Sequence, residues 1–423
     1  MNPSTAPLTF VAVGAGPSNL SLAALAKPHP DIGFQVLERN PAISWHPGMM
    51  VRAARLQVAP VKDLVTLVDP GSPFSFNAFL KAKNRLHRAL VAHRSGVSRQ
   101  EYEQYYDWVA GQIEEIALGE EVREIDFRSG EFRIRTANGA SHQARNVVVG
   151  VGRAPRVPEY AKPLLGDGVF HSSRYADRRA ALTGGDVLVV GGGQSAAEIV
   201  LDLLSSPTPP RSLTWATGRS GLVPLDDSPF ANEWYNPAYT GHFFALDADR
   251  RAQLLGSQVY SSDGVTEELL QQIYTRLYEI DYIEPDAPRH RVLPGHRLLG
   301  LKPTAGGYRA VLSCPESGTT TDEFRDHVIL ATGYESSLPE FLGPLTDRLD
   351  IGRDGPGVQL DYAIRWDGPA DRRIFVQNAA RSTHGLADSN LALVSWRSAV
   401  ILNAMCGDTR YELPVPDLAI SID

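Results

Sequence analysis

The chain has 423 residues, of which 43% are hydrophobic, and its formal net charge is −8. A chain of this size can bury the cores of two or three domains. The acidic balance and the absence of lysine-rich or arginine-rich runs argue against a nucleic-acid partner, and no apolar run approaches the roughly 20 residues of a membrane span. The first seven residues lack the basic and apolar parts of a signal peptide, so we expect a cytoplasmic protein.

The cysteines and histidines exclude two further classes. Cys314 and Cys406 lie far apart and form no Cys-x-x-Cys pair, which excludes the dithiol reductases. The 11 histidines show no His-x-x-x-His pair and no His/Cys cluster, so no metal site is expected.

The first predicted unit is a strand at residues 10–13, followed by a glycine turn at residues 14–19 and a helix. The turn reads Gly-Ala-Gly-Pro-Ser-Asn. Glycine lets the backbone bend sharply after the strand and approach a pyrophosphate, whose charge sits on the free N–H groups of a helix N-terminus. The next strand, residues 34–38, ends in Glu38, which lies 24 residues past Gly14 and suits a ribose hydroxyl. The unit predicts a dinucleotide site; the alternative is a tight bend in an α/β fold without a nucleotide.

Two further elements complete the predicted first domain. Residues 98–109 predict a helix, because Ser98 can cap its N-terminus and Glu101 lies three residues on. Its aromatic side chains are expected to pack in the core. Residues 146–152 predict a strand, and the proline-bearing residues 153–158 predict the point at which the chain leaves this domain.

A second strand–turn–helix unit lies near the middle of the chain. Residues 187–190 predict the strand, and the turn at residues 191–196 reads Gly-Gly-Gly-Gln-Ser-Ala. The following strand, residues 213–217, ends before Arg219 rather than in an acid, and a cation there favours the 2′-phosphate of NADPH. Arg219 could instead be an ordinary solvated loop arginine.

Two dinucleotide sites in one chain indicate a flavoprotein that also uses a nicotinamide cofactor. The predicted fold is α/β with two Rossmann-like domains, and the apolar run at residues 328–334 predicts the return of the chain to the first domain. The NADPH domain would then be inserted in a discontinuous FAD domain. The predicted boundaries are 1–158 and 328–423 for the FAD domain, 159–225 and part of 290–327 for the NADPH domain, and 226–290 for a small, mainly helical substrate-binding region.

Several segments, taken in chain order, carry a resemblance that neither glycine turn carries alone. They are residues 43–50, 56–65, 73–76, 98–102, 190–196, 227–233, 331–334 and 383–388. Together they cover nearly the whole chain. In this order they resemble the microbial flavin-dependent monooxygenases that hydroxylate the terminal amine nitrogen of lysine, ornithine or aliphatic diamines.

The resemblance implies an enzyme that uses FAD, NADPH and O₂. NADPH would pass a hydride to FAD, and a C4a-hydroperoxyflavin would then deliver its distal oxygen to a neutral amine while NADP⁺ stays bound. A free lysine amine has a pKa of roughly 10.4, so the site must favour the unprotonated form, and desolvation near the flavin would do so. Since the cofactor carries the reaction, no protein nucleophile or catalytic triad is expected.

The resemblance also assigns residues to the amine site. Gln57 should lie near the flavin and the reacting amine, Lys62 should face the far end of the substrate, and Asn232 should line the same pocket beside the nicotinamide. Without the resemblance, Gln57 could be a loop amide bonded to backbone, Lys62 a solvated lysine and Asn232 a turn former. The predicted substrate-binding residues are Gln57, Lys62, Asn232, Ser261, Asn390 and Leu391.

Cofactor contacts follow from the glycine turns and from the same resemblance. Trp45 and His46 should contact the flavin region, with burial against the FAD domain as the alternative. Asn19 stands where a plain fingerprint has its third glycine, as in the family. Residues 165–175 keep only the His and Tyr spacing of a linker signature found in related flavin monooxygenases. The predicted cofactor-binding residues are Gly14, Gly16, Pro17, Ser18, Asn19, Glu38, Trp45, His46, Gln57, Gly191, Gly193, Gln194, Ser195, Arg219, Thr332, Gly333 and Tyr334.

The expected substrate is lysine or a diamine such as cadaverine or putrescine, for hydroxamate siderophore synthesis. Residues 260–265 lack the Asn-Tyr-Ser segment of the ornithine branch, and residues 387–397 also resemble the lysine and diamine branches. Lys62 would favour an amino acid if it pairs with the substrate carboxylate. One methylene in a pocket is worth only about 1–3 kcal/mol, so L-ornithine stays as an alternative.

Two other classes of protein remain open at this point. One is an NADPH-dependent flavin oxidase or reductase that releases peroxide without oxygenating an amine. The other is a non-catalytic flavin-binding or redox-sensing protein. The resemblance further implies a homotetramer.

Overall fold

The structure is a computed structural model that describes residues 7–52, 54–92, 96–284, 287–352 and 355–421. In chain order its strands are β1 Leu8–Val13, β2 Phe34–Glu38, β3 Ile116–Leu118, β4 Val122–Arg128, β5 Glu131–Thr136, β6 Ser141–Val149, β7 Ala154–Pro155, β8 Val169–His171, β9 Asp186–Val190, β10 Ser212–Ala216, β11 Arg289–Leu293, β12 Arg297–Thr304, β13 Gly307–Cys314, β14 Thr319–Arg325, β15 His327–Leu330, β16 Tyr334–Glu335, β17 Ile351–Gly352, β18 Gly355–Pro356 and β19 Ile374–Val376.

Its helices follow the same chain order. The α-helices are α1 Pro17–Ala26, α2 Phe76–Ala82, α3 Leu86–Ala92, α4 Arg99–Ala110, α5 Tyr175–Arg178, α6 Gln194–Leu204, α7 Pro229–Asn232, α8 Pro237–Ala245, α9 Ala248–Ser257, α10 Tyr260–Asp263, α11 Glu267–Tyr282, α12 Arg381–His384 and α13 Val394–Cys406. Shorter 3-10 turns occupy Pro47–Met49, Glu159–Leu164, Ser172–Arg174, Arg179–Leu182, Glu233–Tyr235, Glu340–Arg348, Leu386–Ser389 and Leu391–Leu393.

The first sheet carries the first glycine turn. Its strand order is β3-β2-β1-β6-β5-β4, with β19 beside the C-terminal part of β6. β1, β2, β3, β6 and β19 are parallel, whereas β4 and β5 form an antiparallel extension. β1 and the end of β6 read as continuous apolar runs because their side chains are buried. Residues from α1 and α13 share this core, so both ends of the chain belong to it.

The second sheet carries the second glycine turn, which joins β9 to α6. All of its pairings are parallel, in the order β11-β10-β9-β15-β8. The chain was expected to return to the first domain at residue 328, but Val328–Leu330 pair with β9 and β8. An apolar parallel strand suits either sheet, which is why its sequence did not assign it. The return follows β15, and β19 is the strand that rejoins the first sheet.

Two short strands mark where the chain crosses between the half of the molecule built on the first sheet and the half built on the second. β7 and β16 form an antiparallel pair, Ala154 with Glu335 and Pro155 with Tyr334. The backbone N–H of Arg156 donates to the carbonyl of Gly333 at 2.9 Å. The two crossings therefore lie side by side and are hydrogen-bonded to each other.

Several further elements lie between these crossings. β12, β13 and β14 form a separate antiparallel sheet, and helices α7 to α11 occupy the segment that was predicted to be mainly helical. The predicted cap of α4 is confirmed, since the Ser98 hydroxyl accepts the backbone N–H of Glu101 at 3.2 Å. Among the helices described, none combines the length and the apolar character that a membrane crossing requires.

Candidate cofactor and amine sites

The first glycine turn leaves its helix N-terminus free for an anion. Gly14 has φ +91°, and a Cβ on it would lie 2.7 Å from the carbonyl oxygen of Gly150. Gly16, by contrast, has no atom of the other described residues, its two chain neighbours aside, within 4 Å of the Cβ position, and none of the described side chains caps α1. Pro17 begins the helix without an N–H to satisfy. Open space beside uncapped N–H groups fits the pyrophosphate of FAD.

Glu38 lies at the end of β2, beside this turn. Its Oε2 accepts the backbone N–H of Ala15 at 2.8 Å, and its Oε1 accepts that of Asn40 at 2.9 Å. Oε1 also accepts the side-chain Nδ2 of Asn40 at 2.7 Å. A carboxylate has about four lone-pair sites, so these three bonds leave capacity for one ribose hydroxyl. The predicted position of this acid next to the turn is therefore what the structure shows.

Asn19 shows how the turn works without its third glycine. The side chain is fully buried, and its Nδ2 donates to the carbonyls of Val13 at 3.0 Å and Gly14 at 2.8 Å. A Cβ on Gly150 would lie 2.5 Å from this amide nitrogen. The close approach of helix and sheet is thus made possible by a glycine on the strand side of the contact.

The second glycine turn has a similar shape. Gly191 has φ +148°, and a Cβ on it would lie 2.1 Å from the carbonyl oxygen of Ala331. Gly193 precedes α6, and no side chain in the described ranges caps that helix, so the N–H groups near Ser195 are available to a second pyrophosphate. The Trp215 indole, in β10, donates to the carbonyl of Gly191 at 2.7 Å and so fixes the start of the turn.

Arg219 brings a positive charge to this turn. Its Nη1 donates to the carbonyl of Gly192 at 2.8 Å, and its guanidinium lies 5.7 Å from the centre of the Tyr260 ring. A cation held over the turn in this way suits the 2′-phosphate of NADPH. The alternative of a freely solvated loop side chain does not describe this contact.

Gln194 faces protein partners and an open cleft. Its Nε2 donates to Glu198 at 3.0 Å, and its Oε1 accepts the backbone N–H of Thr266 at 3.0 Å. It also lines a cleft of about 440 Å³ together with Arg55 and Gln57. A residue predicted on the nicotinamide side and one predicted on the flavin side therefore meet at one cavity.

Trp45 and His46 lie in a loop of the first half, and the two side chains differ in their surroundings. The Trp45 ring packs against Tyr106 at a centroid distance of 5.3 Å, which fits burial against the FAD half. His46 has φ +53° and a solvent-exposed side chain; desolvation by the neighbouring protein, and secondarily the charge of Arg99, lowers its pKa to about 4. A neutral, exposed ring at this position is suited to contact a bound cofactor.

Thr332, Gly333 and Tyr334 join the two crossings between the halves. The Thr332 hydroxyl donates to the carbonyl of Arg156. His171, from the partial linker signature, lies with its Nε2 2.9 Å from the Gly333 carbonyl and its ring 5.0 Å from that of Tyr334. The surviving histidine of the signature therefore holds the second crossing in place.

A second cleft brings most of the predicted amine-site residues together. It has a volume of about 410 Å³ and includes five of the six residues predicted to bind substrate. Leu391 is not among them; it packs against the first core instead. The cleft residues that were predicted are Gln57, Lys62, Asn232, Ser261 and Asn390, and those that were not are Val58, Leu225, Asp226, Asp227, Tyr235, Ser262 and Ala392.

Lys62 is the cation of this cleft. Its side chain is partly buried, and within the described part of the chain no carboxylate lies within the 4.0 Å of an ion pair. Burial lowers its pKa. Asp226 and Asp227 line the same cleft, and the only side-chain bond of either is from the Ser228 N–H to Asp226, at 3.1 Å, so far as the described residues show. The cleft thus offers one cation and two carboxylates that are not paired with each other.

The amide side chains of the cleft are tied to their own loops. Asn232 donates through Nδ2 to the Asp227 carbonyl at 2.7 Å, and Asn390 accepts the Ala392 N–H at 2.8 Å. Asn232 therefore stabilises its own loop, in line with the alternative of a turn former, and it also forms part of the cleft wall.

The sequence did not point to two buried charges behind these sites. Arg397 in α13 is 2% exposed, and Glu198 in α6 is 0% exposed. Each is a charged residue inside an apolar helical run, and that pattern is the signal that could have found them.

No group of three or more His, Cys, Asp and Glu side chains in the described ranges is arranged to hold a metal ion.

Comparison with known proteins gives consistent results. The sequence model of the family described as L-lysine 6-monooxygenase/L-ornithine 5-monooxygenase matches residues 6–336. L-lysine N6-monooxygenase of Escherichia coli is 34% identical over 415 residues, 97% of each chain. The FAD-bound cadaverine monooxygenase of the desferrioxamine pathway of Erwinia amylovora superposes with a TM-score of 0.92 at 28% identity over 99% of each chain. Ornithine N-hydroxylase of Kutzneria, solved with reduced FAD, NADP⁺ and L-ornithine, gives 0.88 at 29% identity, over 95% of this chain and 99% of that one.

Proposed function

Because the chain belongs to the family of L-lysine 6-monooxygenases and L-ornithine 5-monooxygenases, we propose that it hydroxylates the terminal amine of free L-lysine. It is an FAD- and NADPH-dependent monooxygenase that N-hydroxylates lysine or a diamine. The choice of lysine rests on Lys62, a partly buried cation without a carboxylate partner among the described residues. The α-carboxylate of lysine would supply that partner through a charge-assisted bond, whereas a diamine has no carboxylate.

The carboxylates of the cleft suit the other charge of the amino-acid head. Asp226 and Asp227 line the cleft with Lys62, so an α-ammonium could lie against them while the α-carboxylate lies against Lys62. The same carboxylates also support a second candidate, cadaverine, whose distal ammonium they would accept. The 0.92 TM-score with a cadaverine monooxygenase favours keeping that candidate.

The protein's own part of the reaction is to place a neutral amine. When bound, FAD supplies the activation of O₂ and NADPH the reducing equivalents. Gln57 lines both clefts, so we assign it to orient the reacting amine between the flavin and nicotinamide sides. Asn232 would hold the same part of the substrate. Leu225 and Ala392 line the cleft beside these polar groups, and desolvation of the bound amine against the flavin would favour loss of its proton before reaction.

We assign the cofactors to the two glycine turns. Gly14 to Asn19 with Glu38 would hold the FAD pyrophosphate and ribose, and His46 would contact the flavin. Gly191 to Ser195 with Arg219 would hold NADPH. Thr332 to Tyr334 would lie between the two, where the chain crosses from one half to the other.

The biological setting follows from the chemistry of the product. An N-hydroxylated lysine is the precursor of a hydroxamate after acylation, so we propose a role in hydroxamate siderophore synthesis, as the Erwinia relative supports. A cytoplasmic location and a homotetrameric assembly complete the proposal. Light scattering coupled to size-exclusion chromatography tests the assembly, and a monomer would contradict it.

The test of function is a product assay. Purified enzyme with FAD, NADPH and O₂ is offered lysine, ornithine, cadaverine and putrescine, and the hydroxylamine formed is quantified by mass spectrometry. We expect N6-hydroxylysine in proportion to the NADPH consumed. A higher kcat/KM with cadaverine than with lysine would make the diamine the substrate. Peroxide without hydroxylamine from any amine would indicate a flavin oxidase.

A further inference from the structure

A buried positive charge lies directly behind the first glycine turn. Arg397, in the apolar helix α13, is 2% exposed. Its Nη2 donates to the Ser18 hydroxyl at 3.0 Å, and Nε donates to Gln377 at 3.1 Å. Its Nη1 donates to the carbonyl of Asp388 and lies 3.3 Å from the Asp388 carboxylate. One guanidinium thus holds three separate segments of the chain.

The partners of Arg397 extend its contact to the rest of the turn. Gln377 donates through Nε2 to the Ser18 carbonyl at 3.0 Å and to the Asn19 side chain at 3.1 Å. Both oxygen atoms of Ser18 and the side chain of Asn19 are therefore held by one hydrogen-bonded group. Since Ser18 belongs to the first turn of α1, this group sets where the N–H groups of that helix point.

The other end of the same group reaches the amine cleft. Asp388 accepts the backbone N–H of Ala380 at 2.7 Å and pairs with Arg397, which anchors the segment Leu386–Ser389. Asn390 follows that segment directly and lines the cleft with Lys62. A continuous path of contacts, through Asp388 and Arg397, joins the wall of the amine cleft to the first glycine turn.

We propose that Arg397 is a positioning residue that sets the FAD turn and the Asn390 side of the amine cleft together. The second half of this inference rests on the assignment of the cleft under the proposed function; the first half does not. Stability alone does not call for this charge, because a buried ion pair can often be replaced by apolar side chains without loss of stability. What an apolar side chain cannot supply is the planar fork of donors that fits Ser18, Gln377 and Asp388 at once.

The test compares Arg397→Met, which removes the charge and the donors, with Arg397→Lys, which keeps only the charge. FAD binding to the apoprotein is measured by quenching of flavin fluorescence, with no amine present. We expect Arg397→Met to raise the Kd for FAD about tenfold or more. A tenfold change in Kd corresponds to roughly 1.4 kcal/mol of binding free energy. Arg397→Lys should restore only part of the affinity, because lysine has no fork.

A matched control separates positioning from loss of stability. Ile134 is fully buried in β5, on the antiparallel side of the first sheet, so Ile134→Ala destabilises the same core without touching the turn. At equal loss of melting temperature, we expect Ile134→Ala to leave the FAD Kd unchanged. Equal weakening of FAD binding by both substitutions would overturn the proposal.

The route through Ser18 and the link to the cleft are tested separately. Ser18→Ala and Arg397→Met should be non-additive in their effect on the FAD Kd, and additive effects would overturn the route. For whichever amine the parent enzyme hydroxylates best, KM should rise in Arg397→Met while the Kd for NADP⁺ stays unchanged. An unchanged amine KM would overturn the shared role, and FAD binding reports on Arg397 even if lysine proves to be the wrong substrate.

Discussion

Arg99 and Glu198 join the two halves of the molecule through a bidentate ion pair. Arg99 begins α4 in the first half, and Glu198 lies in α6, directly after the second glycine turn. Nη1 and Nη2 of Arg99 lie 3.0 and 2.9 Å from the two carboxylate oxygens of Glu198. Burial raises the pKa of Glu198 and the charge of Arg99 opposes this, so the carboxylate depends on its partner. The pair holds the helix of the proposed nicotinamide site against the flavin half.

Removing one charge of this pair should have a large effect. Glu198→Gln leaves the largely buried Arg99 side chain, which is 13% exposed, without its counter-charge, and we expect unfolding in urea to show a loss of about 3 kcal/mol. We also expect slower anaerobic reduction of bound FAD by NADPH, with reduction by dithionite unchanged. Arg365→Ala, which breaks the exposed pair with Asp350, is the control and should cost less than about 1 kcal/mol. Similar losses in the two variants would contradict the prediction.

Replacing Lys62 should stabilise the folded apoprotein and weaken the binding of lysine. Burial without an ionic partner lowers the pKa of Lys62, so its charge disfavours the folded apoprotein. We expect Lys62→Met to raise the melting temperature of the apoprotein and to raise KM for lysine about tenfold or more, as the loss of a charge-assisted bond implies. The KM for cadaverine should change little. An unchanged lysine KM would remove Lys62 from carboxylate recognition.

Arg219 should select NADPH over NADH. Its guanidinium lies over the second turn, so Arg219→Ala should raise KM for NADPH about ten- to a hundredfold through loss of a charge-assisted bond to phosphate, and leave KM for NADH nearly unchanged. Arg211→Ala is the matched control, because Arg211 precedes strand β10 whereas Arg219 follows it. Equal effects on the two nucleotides would place the 2′-phosphate elsewhere.

His46 should make the apoprotein sensitive to mild acid. Its folded pKa is about 4, against an ordinary value of 6.5, so between these values the unfolded chain binds a proton that the folded chain does not. The free energy of unfolding should therefore fall as the pH is lowered from 6.5 towards 4. Urea titrations at pH 7 and pH 5 measure this.

The variant for this test is His46→Asn, because asparagine tolerates the left-handed backbone at this position. We expect the variant to lose less stability than the parent on going from pH 7 to pH 5. The exposed His87 provides the control, His87→Gln, which should follow the parent. A His46→Asn protein with the same pH dependence as the parent would show that His46 does not titrate in this window.

Local chemistry made some features predictable and left others out of reach. Both glycine turns could be predicted because a sharp bend after a strand demands glycine at neighbouring positions, and Glu38 follows at a regular distance. Strand β15 could not be assigned to its sheet, since an apolar parallel strand fits either one. Likewise, the pairing of Arg397 with Ser18 joins positions at opposite ends of the chain, which no local pattern connects.

The amine cleft lies between these extremes. Gln57 and Lys62 share the loop before α2, whereas Asn390 lies close to α13 in the C-terminal part of the chain. Only the family resemblance brought these residues together before the structure did. Asp226 and Asp227 went unassigned because two adjacent acids in a loop are ordinary solvated residues in most sequences. Leu391 was predicted from the resemblance of residues 387–397, yet it packs against the first core while the neighbouring Asn390 lines the cleft.

Asn19 and Gly150 behave as a single unit of sequence change. Replacing Asn19 by glycine alone would remove the donor that serves two carbonyls, and adding a side chain at Gly150 alone would collide with the asparagine amide. Conversion to the plain glycine fingerprint therefore passes through an impaired intermediate, whichever position changes first. In homologous sequences the two positions should covary, with asparagine at one accompanied by glycine at the other, and a search pattern for this fold should read both positions.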